Sequence, residues 1–497
     1  MRYINKESMI MTGIWSICSI SGCIRFMKLH YAEAMNSPYQ FAIGKTGQYI
    51  SAVIAAVIAI LMIYAACNFF YRAEKEDGKE RAILRYALPI LIVLVAYLLT
   101  DIASVNGISP YYSGDEKNIW DSAVRMYPFI FVYSGELFMI CFYILPIRLA
   151  PSIIKILFSS YVFGYVIYRA KRFYDSKYVY FLYCIFAMKP FLEYGIRVHR
   201  MHWYGVLYLL AAAKLYFDYR ERNHHTGTMR NIVLAEALLS ILTIWRREGI
   251  YLIVWGLLLL LVIYGEQKER KKSMGIIAVS FLAMELLISL PETVYESTRD
   301  DALSLADGNV TYQAYLVHML AEENFDRQLC AEELDIIDKF MDIERIDLYN
   351  TECRSEAFND CYWSWGSWRD GKYYAIRNGF TIEEYGEFKG AVVRMIKKQP
   401  LVFLRSRIKA FAVCARSRDS YNLFLPLILT FTIFCYGIKE KDICISLLFL
   451  GILGHVAITV LTMPASYFKY FYEMFTCAYV FAALILLDRL ERRKCIT

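Results

Sequence analysis

The sequence predicts an all-α polytopic membrane protein with about twelve transmembrane helices, an external loop with surface helices and a small extracytoplasmic domain. Composition is the first reason, because 58% of the 497 residues are hydrophobic and soluble domains average roughly 45–50% apolar residues. The second is a series of apolar runs, most of them near the roughly 20 residues that a spanning helix needs. The third is the abundance of aromatic rings, 41 Tyr and 31 Phe, which suit the boundary between membrane and water.

The predicted spans begin near the N-terminus and recur through most of the chain. Each is a mostly apolar stretch that ends at charged or polar residues. They are Met9–Met27, Ile50–Tyr71, Leu84–Ala103, Pro151–Tyr168, Tyr178–Gly195, Trp203–Phe217, Ile232–Trp245, Ile250–Tyr264, Met274–Pro291, Tyr421–Gly437, Ile443–Thr462 and Phe471–Leu487. A further apolar stretch, Tyr127–Leu149, contains Glu136 and Arg148, so we interpret it as an interfacial helix on the outer surface.

These spans divide the chain into consecutive parts. Residues 1–83 hold two extra N-terminal transmembrane helices. Residues 84–291 form a transmembrane core with an external loop at 104–150. Residues 292–420 are the sizeable soluble portion, which we predict to be extracytoplasmic, and residues 421–497 return to the membrane and end in a basic cytoplasmic tail.

The positions of Lys and Arg predict the orientation of the chain. Basic residues cluster in alternate connections and in the C-terminal tail, which places these connections and both termini in the cytoplasm. The net charge of +7 is therefore assigned to cytoplasmic loops of a plasma-membrane protein and not to nucleic-acid binding. In the soluble portion, Phe388–Val413 is a basic amphipathic stretch that suits the bilayer surface.

The loop Pro110–Met126 carries an acidic pair, Asp115-Glu116, soon after an apolar run. A carboxylate beside a membrane span is costly to desolvate, so such a pair is a candidate for function. We interpret Asp115 as a catalytic carboxylate on the outer face, with Glu116 beside it. The alternative is a solvated loop whose acids only keep it hydrated.

Cations recur at the ends of spans on the same predicted outer face. Arginine can bind a phosphate through two hydrogen bonds and lysine supplies a point charge, so together they suit an anionic lipid head group. Each of them alone could also be an interfacial residue that reaches ordinary lipid phosphates. The residues are Arg197 and Arg200 in RVHRMHW, Arg246 and Arg247 in WRREG, and Lys469 with its neighbour Tyr470 in PASYFKYFYE.

Histidines and tryptophans are the remaining candidates for substrate contacts. His199 and His202 lie in RVHRMHW, and their spacing permits a divalent metal, donation to a phosphate or neutral packing. In the soluble portion, Trp363 and Trp365 could stack on sugar faces or form the core of a small domain. The sequence leaves these alternatives open.

The order of these parts resembles the membrane-integral glycosyltransferases of the C superfamily, the group that includes protein O-mannosyltransferases, lipid A aminoarabinose transferases and members from bacterial polysaccharide clusters. In that family the first external loop carries an Asp-Glu pair followed by a surface helix, and Gly114-Asp115-Glu116 followed by Trp120 is similar. WRREG resembles the family's turn with a basic residue before Glu-Gly. RVHRMHW lies where the family has its second functional external loop, but many relatives carry an acid there and this chain has histidines.

The resemblance implies an inverting transfer of a sugar from a polyprenyl-phosphate donor to a hydroxyl of an extracytoplasmic glycan, lipid or protein. Asp115 would be the general base, Glu116 would orient the loop or the acceptor, and the cations would hold the departing lipid phosphate. No cofactor is certain, and a divalent metal is left open. The rivals are a flippase of lipid-linked saccharides, with broken helices in paired halves, and a polysaccharide polymerase or ligase that depends on Arg369 and Arg377.

Overall fold

The computed structural model describes residues 6–35, 45–75, 78–104, 115–126, 132–174, 176–221, 229–265, 270–297, 310–353, 358, 372–373, 375–377, 382–416 and 421–494. Within these ranges the regular structure is helical, and the β-structure consists of an isolated antiparallel bridge between Met341 and Ile376. The predicted all-α class is confirmed.

The helices follow the apolar runs of the sequence. The α-helices are α1 Lys6–Met35, α2 Lys45–Lys75, α3 Lys79–Ser104, α4 Asp115–Val124, α5 Val132–Ile144, α6 Ala150–Phe173, α7 Phe181–Phe186, α8 Lys189–Ile196, α9 Arg200–Arg220, α10 Met229–Trp245, α11 Leu252–Tyr264, α12 Arg270–Ser297, α13 Val310–Leu320, α14 Ala331–Asp338, α15 Ile343–Glu352, α16 Ile382–Lys398, α17 Pro400–Ala415, α18 Phe424–Lys439, α19 Ile443–Thr462 and α20 Tyr472–Lys494. Short 3₁₀ turns occur at Lys177–Tyr180, Arg247–Tyr251 and Phe468–Phe471.

Some of these helices are long and apolar enough to cross a membrane. In the described part of the chain they are the six helices α1, α2, α3, α6, α19 and α20, and the pair α7–α8, bent by 64°, adds a seventh if it forms one span. Helices α10, α11 and α18 are apolar but short, with 17, 13 and 16 residues. The helical membrane class thus holds, while the number of about twelve spans stays a prediction.

The chain divides into two units. The first consists of Met1–Arg299, Leu429–Ile452 and Tyr472–Thr497. The second consists of Asp300–Ile428 and Leu453–Phe471. Helices α1–α12 and α20 therefore belong to the first unit and α13–α17 to the second, while α18 and α19 contribute residues to both.

Helix α9 is central in the first unit. Helices α6, α8, α10, α11 and α20 pack around it, and nearly all of its length from Met201 to Asp218 is buried. Because it is surrounded, its polar side chains need partners inside the protein. Asp218 accepts hydrogen bonds from Arg169 at 3.1 Å and Tyr264 at 2.6 Å, and it pairs with Lys214 at 2.5 Å. These contacts join α6, α9 and α11 near the C-terminal end of α9.

The stretch that we predicted to be an interfacial helix is packed inside the first unit. Helix α5 contacts α1, α2, α4 and α6, and residues 138–143 are buried. Its apolar side chains therefore face neighbouring helices and not the bilayer interface that we expected, while its place at the outer face stays a prediction. The physical reason is that the N-terminal helices α1 and α2 cover the apolar surface that would otherwise need a bilayer interface.

The second unit has its own core, formed mainly by residues of α13 to α16, with Phe403 of α17 packed against it. The predicted basic stretch Phe388–Val413 forms α16 and most of α17. Lys398 pairs with Glu333 at 2.7 Å, and Lys409 pairs with Glu322 at 2.7 Å. These two cations are therefore neutralised within the unit, whereas the sequence predicted that they would meet the bilayer surface.

Arg407 is a fully buried cation in the second unit. Its guanidinium donates to the carbonyl oxygens of Val460 at 3.2 Å and Met463 at 2.6 Å. These oxygens lie at the C-terminal end of α19, which is the negative end of the helix dipole. Burial lowers the pKa of the Arg407 guanidinium to about 10, so it stays charged at neutral pH. Its third bond goes to His318 Nδ1 at 3.0 Å. Because an arginine only donates, that nitrogen of His318 carries no proton.

Candidate functional site

The start of α9 is held to the end of α10. The Met201 N–H donates to His199 Nδ1 at 3.2 Å, so this histidine caps the N-terminus of the helix. Trp245 ends α10, and its Nε1 donates to the carbonyl oxygen of Arg200 at 2.9 Å. The segments RVHRMHW and WRREG, which are far apart in the sequence, therefore meet at one end of α9.

Helix α20 reaches the same end of α9 through an aromatic contact. A Cβ atom at Gly205 would lie well inside 3.0 Å of the Tyr472 ring, so only glycine permits this approach. The centroid of the Tyr472 ring lies 4.8 Å from that of Tyr194. Tyr194 in turn stacks on His202, with ring centroids 3.9 Å apart and planes at 19°. This packing holds the His202 ring flat and buried between α8, α9 and α20.

Lys155 is a buried lysine next to these histidines. It belongs to α6, and its Nζ donates to the carbonyl oxygen of His202 at 2.9 Å. The same atom lies 4.8 Å from the centroid of the Trp203 ring. Both of these partners are neutral, so a bound anion would be the charged partner that keeps this buried lysine protonated.

Arg246 is buried between two carboxylates. Its Nη1 lies 3.6 Å from Glu473 Oε1, and its Nε and Nη2 lie 3.4 Å from the oxygens of Glu248. The guanidinium carbon lies 5.2 Å from the centroid of the Tyr204 ring. Burial pushes the pKa of Arg246 down, but Glu248 and Glu473 outweigh it and raise this pKa above its ordinary value, so Arg246 is charged. All three distances exceed the roughly 2.7–2.9 Å of a close charge-assisted bond, so the carboxylates hold the guanidinium loosely.

The two histidines do not gather a set of metal ligands. The centroids of the His199 and His202 rings are 5.3 Å apart, and His199 Nδ1 is occupied by the Met201 N–H. Among the residues that the structure describes, no group of three or more His, Cys, Asp and Glu side chains could hold a metal ion. The geometry favours hydrogen-bonding and packing roles for this pair.

For the other predicted site residues, the structure shows different surroundings or does not describe the side chain. Arg197 is exposed and pairs with Glu193 at 2.6 Å. Glu116 is half-buried in the first turn of α4. Asp115 is the first residue of that helix, but its side chain lies outside the described residues, as does that of Arg247.

The remaining predicted site residues lie in the second unit or outside the described residues. Lys469 and Tyr470 lie in the second unit, with Lys469 Nζ 5.9 Å from the centroid of the Tyr470 ring. Trp363 and Trp365 lie outside the described residues. So does Arg369 of the polymerase alternative, while Arg377 is exposed and pairs with acids of its own unit.

Sequence reasoning missed two members of the cluster, Lys155 and Glu473. Each left a signal in the sequence. Lys155 lies near the start of an apolar run, and an ionisable residue inside a predicted span is a candidate for function. Glu473 ends PASYFKYFYE and stands at the start of the last span, where it is buried in the first turn of α20.

No family model, curated protein or solved structure matches this chain. The resemblance to C-superfamily glycosyltransferases therefore stays a prediction from the sequence. The function has to be argued from the cluster at the start of α9.

Proposed function

We propose that this chain is an integral membrane glycosyltransferase of the C-superfamily type, with a polyprenyl-phosphate sugar as donor and an extracytoplasmic glycan, lipid or protein as acceptor. The observation that carries the proposal is the charged cluster at the start of α9, where Lys155 and Arg246 are buried among aromatic rings and Arg200 begins the helix. Charges buried in a helical membrane protein are costly and mark functional sites.

The cluster has the chemistry of a site for a lipid phosphate. Lys155 has neutral partners, and the carboxylate partners of Arg246 lie at 3.4–3.6 Å, which leaves the guanidinium able to donate to a phosphate at closer range while they hold it. Tyrosine and tryptophan rings around these cations exclude water and strengthen the attraction. Arg200, Arg246 and Lys155 would therefore bind the donor phosphate, with His199 and His202 as neighbouring hydrogen-bonding groups.

The reaction would be a displacement with inversion at the anomeric carbon. The acceptor oxygen forms a bond to this carbon while the bond from the carbon to the phosphate oxygen breaks. Asp115 takes the hydroxyl proton, which requires an approach to about 3 Å, and Glu116 orients the acceptor. The electron pair of the broken bond goes to the polyprenyl phosphate, whose growing negative charge the cations stabilise.

The same proposal fixes a topology for the chain. The helices would form about twelve spans in the plasma membrane, with both termini in the cytoplasm and the start of α9 at the outer face. Residues 292–420 would form the small extracytoplasmic domain. The short helices α10, α11 and α18 would then cross with the help of neighbouring residues or by local thinning of the bilayer.

The test is sugar transfer in membranes that contain the full-length protein. Asp115→Asn should abolish transfer while the protein still inserts, and near-normal turnover would eliminate the assigned base. Arg200→Ala should weaken donor binding more than acceptor binding, whereas equal effects would contradict its phosphate role. The matched control is Arg492→Ala, because Arg492 is half-exposed and pairs with Glu440 and Asp488, away from the start of α9.

A flippase of lipid-linked saccharides is the second candidate, and one observation favours it. The pair α7–α8 is bent by 64°, and transporters bind their substrates at broken helices. In proteoliposomes, a flippase would move a labelled lipid-linked saccharide between leaflets without acceptor, whereas the proposed transferase would release polyprenyl phosphate only when acceptor is present.

A further inference from the structure

Helix α17 of the second unit has an outward face made of large apolar side chains. Leu401, Leu404 and Ile408 lie three to four residues apart, so they share one side of the helix. Their exposed fractions are 78%, 44% and 63%. We call these three residues the α17 outer face.

The opposite side of α17 is already packed into the second unit. Its buried residues are Val402, Ser406, Arg407, Ala410, Cys414 and Ala415. A helix that lies on the surface of a soluble domain directs polar residues outward, but these outward positions of α17 are apolar. The α17 outer face therefore requires a cover other than water.

Exposed cations of α16 and α17 indicate what covers this face. The Arg405 side chain is 61% exposed although it lies 3.6 Å from Glu322, and the Arg394 side chain on α16 is half-exposed beside Glu333. Lys397, near the end of α16, is exposed as well. An apolar stripe on a helix that also carries an exposed Arg, with exposed Arg and Lys on the preceding helix, suits the boundary of a bilayer, where the stripe meets acyl chains and the cations meet lipid phosphates.

The second unit is also connected to the bilayer by its own sequence. It contains residues 453–462 of α19, which is a candidate membrane-crossing helix, and the start of α18. Phe424, Leu425 and Ile428 at the start of α18 are exposed apolar residues. A bilayer therefore lies within reach of α17 without any further partner.

We propose that α17 lies parallel to the membrane surface, with the α17 outer face in the acyl-chain boundary and Arg405, Arg394 and Lys397 at the lipid phosphates. Only the outward side of the basic stretch Phe388–Val413 would then contact lipid. Its other cations, among them Lys398, Arg407 and Lys409, bind within the unit. The role of this surface is to hold the second unit on the bilayer, and it does not depend on the proposed enzymatic activity.

The experiment measures contact between α17 and lipid in the full-length protein. The Leu404→Trp variant is reconstituted in nanodiscs whose lipids carry bromine either near the head group or near the end of the acyl chain. The fluorescence of the parent protein in the same nanodiscs is subtracted, so that the quenching of the introduced Trp alone is measured. The matched control is Glu332→Trp, which places the same probe on an exposed position of α14 in the same unit. Thermal unfolding of both variants confirms that they keep the parent fold.

With bromine near the head group, we expect the Trp at position 404 to be quenched at least about twofold more than the Trp at position 332. The Trp at position 404 should also be quenched more by bromine near the head group than by bromine at the end of the acyl chain. Stronger quenching by bromine at the chain end would make α17 a spanning segment and overturn the surface orientation. Equal quenching at the two positions would overturn contact with lipid, and a dimer mass in that case would assign the face to a second copy of the chain.

Discussion

Replacing Glu473 by glutamine would remove one of the two carboxylates that hold Arg246 in the buried cluster. The change keeps the shape of the side chain and removes its charge. Because Arg246 remains buried and charged, its remaining carboxylate partner would be Glu248, at 3.4 Å. The substitution therefore separates the charge of Glu473 from its packing against α9.

The size of the effect follows from the burial of the pair. Breaking a buried ion pair costs about 3–5 kcal/mol when the surviving charge has no other partner. Arg246 keeps Glu248, so we expect about half of that loss, roughly 2 kcal/mol. If the same contact positions Arg246 for the donor phosphate, transfer should fall about thirtyfold, since 1.4 kcal/mol corresponds to a factor of ten.

The assay combines thermal unfolding in nanodiscs with initial rates of sugar transfer from a polyprenyl-phosphate donor. Glu440→Gln is the matched control, because Glu440 pairs with Arg492 at 3.1 Å on an exposed surface. A pair of that kind contributes at most about 1 kcal/mol. A triple variant, Arg246→Met with Glu248→Leu and Glu473→Leu, replaces the whole charged group by apolar side chains, which is often neutral or stabilising. It should regain the stability lost in Glu473→Gln while transfer stays lost.

Two results would refute this reasoning. Unchanged stability of Glu473→Gln would mean that the carboxylate does not hold Arg246 as the contact indicates. Full transfer activity in the triple variant would mean that the cluster at the start of α9 serves stability alone.

The remaining predictions concern packing, buried charge and pH. Gly205→Ala should destabilise by about 1–3 kcal/mol through overlap with the Tyr472 ring, whereas Gly275→Ala, with open space around it, should be neutral or stabilising in the same unfolding assay. Arg407→Met leaves buried acceptors without donors, so the second unit should lose at least about 3 kcal/mol, visible as faster proteolysis of that unit at neutral pH. Burial pushes the pKa of Glu333 up, but a hydrogen bond from a lysine outweighs it and lowers this pKa below its ordinary value of 4.5. Its stabilising contribution is therefore present above pH 4.5 and lost as the pH falls through the lowered pKa, and Glu333→Gln should reduce the acid sensitivity of hydrogen exchange in α14.

The helices could be predicted because hydropathy is a local property. Each of the twelve predicted spans coincides with a helix or a bent helix pair, since an apolar run of that length satisfies its backbone hydrogen bonds by coiling. The surroundings of a helix were harder to predict. The apolar stretch of α5 is covered by α1 and α2, and two cations of the basic stretch bind acids of α14 and the residues after α13.

From the sequence alone follow the membrane class, the helical elements and the concentration of candidate cations at WRREG and RVHRMHW, because composition and spacing are properties of short segments. Only the tertiary structure decided which of these charges meet. Arg246 reaches Glu473, and Lys155 reaches His202, through the packing of α6, α10 and α20 around α9. Such contacts depend on the rotation of each helix about its axis and on close approaches such as that at Gly205, and neither is encoded in the hydropathy of any one segment.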